Sequence, residues 1–132
     1  RVSAATVSPF FQTGSTMSNV SLTPIAQDVY AAPQLTPEAM AAAAEAGFKS
    51  VMNNRPDMEG GAEQPASAAI EAAAKAAGLE YAYLPVQGGY QSPEEIAKCA
   101  ELLKALPRPL LMFCRSGARS TKLYMQAVAL DQ

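Results

Sequence analysis

Between residues 25 and 130 the apolar positions fall into two alternating kinds of segment. One kind is short and rich in β-formers: Ile25–Ala31 with Val29 and Tyr30, Phe48–Asn53, Glu80–Val86, and the run Pro109-Leu110-Leu111-Met112-Phe113. Each is too short for a helix and reads as a strand. The other kind is longer, alanine-rich or periodic, and bounded by helix signals. Thr36-Pro37-Glu38 offers an N-cap, a proline for the first helical position and an acid for the positive helix end; Ala39–Ala46 carry the helix on, and Gly47 stops it. A second helix is expected over Pro65–Ala77, ended by Gly78. Ser92-Pro93-Glu94-Glu95 is a capping box for a third, running to Ala105 before Pro107. A last helix is expected from Ser120 to about Leu130.

Strand and helix alternate, so the expected fold is α/β: a central, mostly parallel sheet of four to five strands flanked by helices on both faces. Ligands of such sheets bind beyond the carboxyl ends of the strands. Three loops are expected at that edge: Asn53–Gly61, Val86–Gln91 and Cys114–Arg119. Residues 21–132 read as one domain. Residues 1–20 are set apart as a tag, leader or disordered segment, because Arg1–Thr16 are Ser/Thr-rich without helical or strand period and patterning begins only after Met17.

Composition narrows the chemistry. The chain has 132 residues, 49% of them apolar, enough for one core. Its formal net charge is −2 with no basic block, which gives no electrostatic support for nucleic acid or a membrane surface as partner. Only two cysteines are present, Cys99 and Cys114, so a disulfide framework is not expected and a reducing, cytoplasmic setting fits. There is no histidine at all. Ser-His-Asp and Cys-His catalysis and His-ligated metal sites are thereby excluded, and no metal or organic cofactor is called for.

The densest chemistry is in Cys114-Arg115-Ser116-Gly117-Ala118-Arg119, between an expected strand end and an expected helix start. Backbone N–H groups there lack intrahelical partners, and with the helix dipole they favour a thiolate and a bound anion. Cys114 is the expected nucleophile, Ser116, Gly117 and Ala118 its backbone cradle, and Arg119 the side chain that holds anion oxygens. Arg115 is expected to point outward, toward substrate or as a source of field. Ser120 can cap the helix or donate to the Cys114 sulfur. Cys99, among Ile96, Leu102 and Leu103, reads as core. Arg55 pairs with Asp57 or recognises an anion at the rim. Asp57, Glu59 and Glu63 are a solvated acidic loop or the source of a general acid.

Two resemblances follow from these residues. Cys114-Arg115-Ser116-Gly117-Ala118-Arg119 resembles the active-site loop of rhodanese-type sulfurtransferases, whose cysteine carries a persulfide. Their Asp-x-Arg and Gly-His-Ile segments have no counterpart here. Gln34-Leu35-Thr36-Pro37, Gly47-Phe48-Lys49-Ser50-Val51, Asn54-Arg55-Pro56-Asp57, Tyr83-Leu84-Pro85-Val86 and Cys114–Ser120 are similar to the bacterial beta-lactamase-hydrolase-like family, over about Ile25–Leu130. That family implies a protein-tyrosine-phosphatase-like domain, sometimes fused to persulfide-oxidising metalloenzymes, and so a possible partner of that kind. Tyrosine-phosphatase-type loops place five residues between cysteine and arginine, whereas this chain has four; Phe113 stands where a histidine is usual, and Gln87–Gln91 holds no aspartate.

These departures favour a sulfurtransferase that moves sulfane sulfur from a small anionic donor, thiosulfate or a persulfide, through a Cys114 persulfide to a thiol, cyanide or sulfite acceptor. A shorter cradle suits a terminal sulfur, and sulfite leaves without a general acid. The alternative is a cysteine-dependent phosphatase of the tyrosine or dual-specificity type, with Asp57 or Glu59 as acid. A third reading is a non-catalytic domain that senses persulfide or oxidant through Cys114.

Overall fold

A computed structural model describes residues 21–130. Its elements are β1 (Thr23–Ala26), β2 (Val29–Ala32), α1 (Glu38–Glu45), β3 (Ser50–Asn53), α2 (Ser67–Ala76), β4 (Glu80–Tyr83), α3 (Pro93–Ala105), β5 (Leu110–Phe113) and α4 (Ala118–Leu130). The strands form one five-stranded sheet in the order β1-β2-β5-β3-β4. β5 lies centrally, parallel to β2 on one side and to β3 on the other, and β4 is parallel to β3. The edge strand β1 is antiparallel to β2.

β5 shows why the sheet needs helices on both faces. All four of its residues are buried. Leu111 and Phe113 pack into a cluster with Met40 of α1 and Ile70 of α2. Leu110 and Met112 pack into a second cluster with Cys99 of α3 and Leu123 of α4. Alternate side chains of a strand point to opposite faces, so a wholly apolar run must be covered twice. Fully burying each such side chain stabilises the fold by about 1.5–3 kcal/mol.

The strand expected from Phe48 begins at Ser50 and the helix expected over Pro65–Ala77 runs Ser67–Ala76; three further expectations change, each for a local reason. Ile25–Ala31 is not one strand but the hairpin of β1 and β2. Asp28 turns the chain at φ 73°, a left-handed conformation that Asp tolerates better than most residues. The strand expected over Glu80–Val86 stops at Tyr83, because Pro85 has no N–H to give a ladder; Leu84 and Val86 still donate to the carbonyls of Asn53 and Asn54. The last helix starts at Ala118, not Ser120. Gly117, at φ 98°, turns the strand end directly into the helix, and its carbonyl accepts the first helical bond from Thr121 N–H. Ser120 is therefore inside the first turn and caps nothing.

Where the signals are strongest the positions agree. Ser92 and Glu95 form the reciprocal capping box, and α3 ends at Ala105. Among the described residues no helix is long and apolar enough to cross a membrane. The segment set apart at residues 1–20 lies outside the described residues.

Candidate active site

The carboxyl edge of β5 gathers the three loops that the alternating pattern places there. Asn54 N–H donates to the Phe113 carbonyl, which ties the β3 loop to the strand that delivers Cys114. Val86 N–H donates to the Asn54 carbonyl, and the Arg119 guanidinium donates to the Val86 carbonyl at 3.1 Å. Gly88, in the loop after β4, lies against the same guanidinium.

Cys114 follows β5 directly and is 1% exposed. Its surroundings are polar where it matters. The Gly117 N–H points at its sulfur, with N···S 3.0 Å. Burial pushes the thiol pKa up, but hydrogen bonds from the Ser120, Gly117 and Ser116 amides and from the Ser120 hydroxyl outweigh it, and the thiol sits below its ordinary range. Donors at a helix start thus do the work that a histidine does elsewhere. Gly117 makes this possible: its φ of 98° suits only glycine, and an added Cβ would stand 3.5 Å from the Ala32 backbone.

Cys99 is the contrast. It is 0% exposed in the α3–α4 cluster, and burial pushes its thiol up to about 12.

Arg119 is held in place before any ligand arrives. Its Nη1 and Nη2 donate to the two Glu59 carboxylate oxygens at 2.9 and 3.0 Å, and Nη1 also donates to Val86. A guanidinium has five N–H bonds, so among the described residues the Nε–H and one Nη2–H are left without a partner. Arg55 holds the other side of Glu59, Nε to Oε1 at 2.8 Å, while its Nη1 donates to Gln34. Gly60 leaves room for this: a Cβ there would come within 2.8 Å of Arg55 Nη2.

This arrangement corrects the acidic-loop expectations. Arg55 pairs with Glu59, not Asp57. Hydrogen bonding to Arg119, and then to Arg55, lowers the Glu59 carboxyl below its ordinary range against some opposing desolvation. A carboxylate so held is a poor proton donor, so Glu59 orients arginines and does not fit the role of general acid. Asp57 Oδ1 accepts the Ser67 N–H at 2.8 Å and so caps α2, while its own N–H is taken by the Tyr83 hydroxyl. Glu63 is exposed on the same loop. Arg115 is exposed, as expected, and among the described residues only its carbonyl is engaged, by Gln34 N–H. Ser116 and Ala118 are exposed on the outside of the cradle and border an open cleft of about 400 Å³, together with Thr23, Thr121 and Lys122.

Asn54 was not among the residues singled out from the sequence. It is 0% exposed; its Nδ2 donates to the Leu84 carbonyl at 3.0 Å, and its Oδ1 accepts the Ser120 hydroxyl at 2.8 Å. Its position at the head of Asn54-Arg55-Pro56-Asp57, directly after a buried strand, was the available signal.

The model of the family described as beta-lactamase hydrolase-like protein, phosphatase-like domain, matches residues 21–131. The beta-lactamase hydrolase-like protein of Agrobacterium fabrum is 35% identical over 85 residues, 64% of this chain and 20% of that protein. The chain thus spans about a fifth of the length of the curated relatives it matches. A crystal structure of a candidate phosphatase from Neisseria meningitidis is similar at TM-score 0.70 and 28% identity, covering 76% of this chain and 71% of that one. Another, of a candidate phosphatase from Shewanella putrefaciens, matches at TM-score 0.72 and 18% identity over 88% and 76% of the two chains. The fold is phosphatase-like.

Proposed function

The chain belongs to the family of phosphatase-like domains of beta-lactamase hydrolase-like proteins, and on that premise we propose that it is a cysteine-dependent phosphatase acting on small phosphate monoesters. The observation that carries the reading is the Gly117 N–H 3.0 Å from the Cys114 sulfur, in a cradle that lowers the thiol without an imidazole.

In this mechanism the Cys114 thiolate attacks phosphorus, an S–P bond forms, and the P–O bond to the leaving group breaks with its electron pair. Cradle amides and the open Nε edge of Arg119 hold the phosphoryl oxygens as charge develops. Water then attacks phosphorus, the S–P bond breaks, and phosphate leaves with the thiolate restored. Glu59 and Asp57 are both committed elsewhere, so the leaving group takes its proton from water. Suitable substrates are therefore aryl phosphates, whose phenolate leaving groups depart unprotonated more readily than alkoxides.

A second reading is carried by the same lack of a poised acid and by the four-residue spacing from Cys114 to Arg119. The thiolate attacks the outer sulfur of thiosulfate or a persulfide, the S–S bond breaks, and sulfite or a thiolate departs. A thiol, cyanide or sulfite acceptor then takes the sulfur. The family and the fold support the phosphatase reading better. A reducing compartment such as the cytoplasm would keep the Cys114 thiol free for this chemistry.

One experiment separates them. Incubation with an aryl phosphate should release phenolate in a vanadate-sensitive reaction that Cys114→Ser abolishes. Hydrolysis absent, with thiocyanate formed from thiosulfate and cyanide, would replace the first reading by the second.

A further inference from the structure

We propose that Asn54 is a positioning residue that competes with the Cys114 sulfur for the single hydroxyl proton of Ser120. The inference rests on Cys114 being the nucleophile, as in the proposed function.

The geometry fixes which atoms compete. Asn54 Nδ2 is committed to the Leu84 carbonyl at 3.0 Å, which leaves Oδ1 facing Ser120, and Ser120 Oγ donates to it at 2.8 Å. The Asn54 backbone cannot easily give way, because its N–H is bonded to Phe113 and its carbonyl to Val86. Both side chains are 0% exposed, so bulk water does not stand in for a lost partner. The same hydroxyl is among the groups that hold the Cys114 thiol below its ordinary range.

A hydroxyl has one proton to donate and two lone pairs with which to accept. With Cys114 as a thiol the sulfur makes no call on this proton, and Ser120 O–H stays with Asn54 Oδ1. With Cys114 as a thiolate, or leaving from a covalent adduct, the sulfur calls for the same hydroxyl proton. Rotation about the Ser120 Cβ–Oγ bond supplies it. No proton changes heavy atom and no charge moves, but Asn54 Oδ1 is left as a buried acceptor without a donor, which is costly. Asn54 thus opposes the thiolate through Ser120, and the hydroxyl returns to Asn54 whenever the sulfur is covalently occupied.

The test is the pH midpoint of Cys114 alkylation, followed by mass on the full chain, in Asn54→Leu and Asn54→Asp, each with Ser120 present and with Ser120→Ala. The neighbouring charges Arg55, Glu59, Arg115 and Arg119 are the same in all. Leucine removes the acceptor at similar volume and should lower the midpoint by about 0.5 pH, the scale of one net hydrogen bond. Aspartate keeps an acceptor, strengthens it and adds like charge, and should raise the midpoint. Both shifts should shrink by at least half in the Ser120→Ala background. Shifts of the same sign for the two variants, or shifts as large without Ser120 as with it, would overturn the proposal. If the leucine variant does not fold, the aspartate pair decides alone. Failure of phosphate turnover would leave this pattern intact. Failure of the pattern in an active enzyme would remove the role of Asn54 and nothing else.

Discussion

Glu59 engages the end of the Arg119 guanidinium with both carboxylate oxygens and leaves its Nε–H without a partner among the described residues. The loop after β3 therefore aims the arginine of a helix that begins 59 residues later in the chain, at Ala118. A pre-aimed fork has little side-chain entropy left to lose when an oxyanion binds.

Glu59→Gln should therefore weaken turnover more than it weakens the fold. Losing the charged fork is expected to lower kcat/KM for an aryl phosphate by about tenfold, a change of roughly 1.4 kcal/mol in transition-state binding. The ion pairs are partly exposed, so thermal stability should change little. Steady-state kinetics beside a thermal melt checks both. An unchanged kcat/KM would show that Arg119 needs no such aim.

The same carboxylate has a pH signature. Its folded pKa is depressed, so its contribution to stability is present above the ordinary carboxyl value of 4.5 and is lost as pH falls through the lower folded value. Urea midpoints measured from neutral pH into acid should fall for the native chain. Glu59→Gln should make that acid limb shallower. An identical limb in both proteins would mean that the pairs with Arg55 and Arg119 contribute nothing.

Gly117→Ala should damage stability and chemistry together. The new side chain must adopt φ near 98° against the Ala32 backbone, a strain of about 1–3 kcal/mol. Any relaxation turns the amide away from the Cys114 sulfur. Denaturation should show the loss in stability, and the Cys114 alkylation midpoint should rise. A stable variant with an unchanged midpoint would contradict this account of the cradle.

The two thiols should behave oppositely in the native protein. Cys99 is sealed among Ala100, Leu103 and Leu123 with its thiol pushed up to about 12, whereas Cys114 is lowered. Brief alkylation near neutral pH should add one label, at position 114, and full denaturation should release the second. Two labels on the folded chain would contradict the packing of α3.

The legibility of this chain follows the range of its interactions. α3 is written locally, in a capping box at Ser92 and a proline at 107, and its ends match. β5 is written as a run apolar on both faces, and it is central in the sheet. The Asp28 turn was missed because Val29 and Tyr30 are β-formers on either reading, and one residue at positive φ decides between a strand and a hairpin. At the site, position in the fold was easier to read than partnership. The three loops meet because parallel strands must end at one edge. Nothing local shows that Arg55 chooses Glu59 over Asp57, since both acids lie within reach along the loop. What decides is the start of α2, where Ser67 N–H takes Asp57. Asn54 escaped notice for a similar reason: its partners Leu84 and Ser120 are 30 and 66 residues away.

The most direct measurement is the pH dependence of Cys114 alkylation on the folded chain, with Cys99→Ala removing the other thiol. Amide donors from the Ser116–Ser120 turn predict a midpoint clearly below the ordinary thiol value of 9.0. A midpoint at or above 9.0 would mean that burial wins over the cradle, and the case for Cys114 as a nucleophile would fail with it.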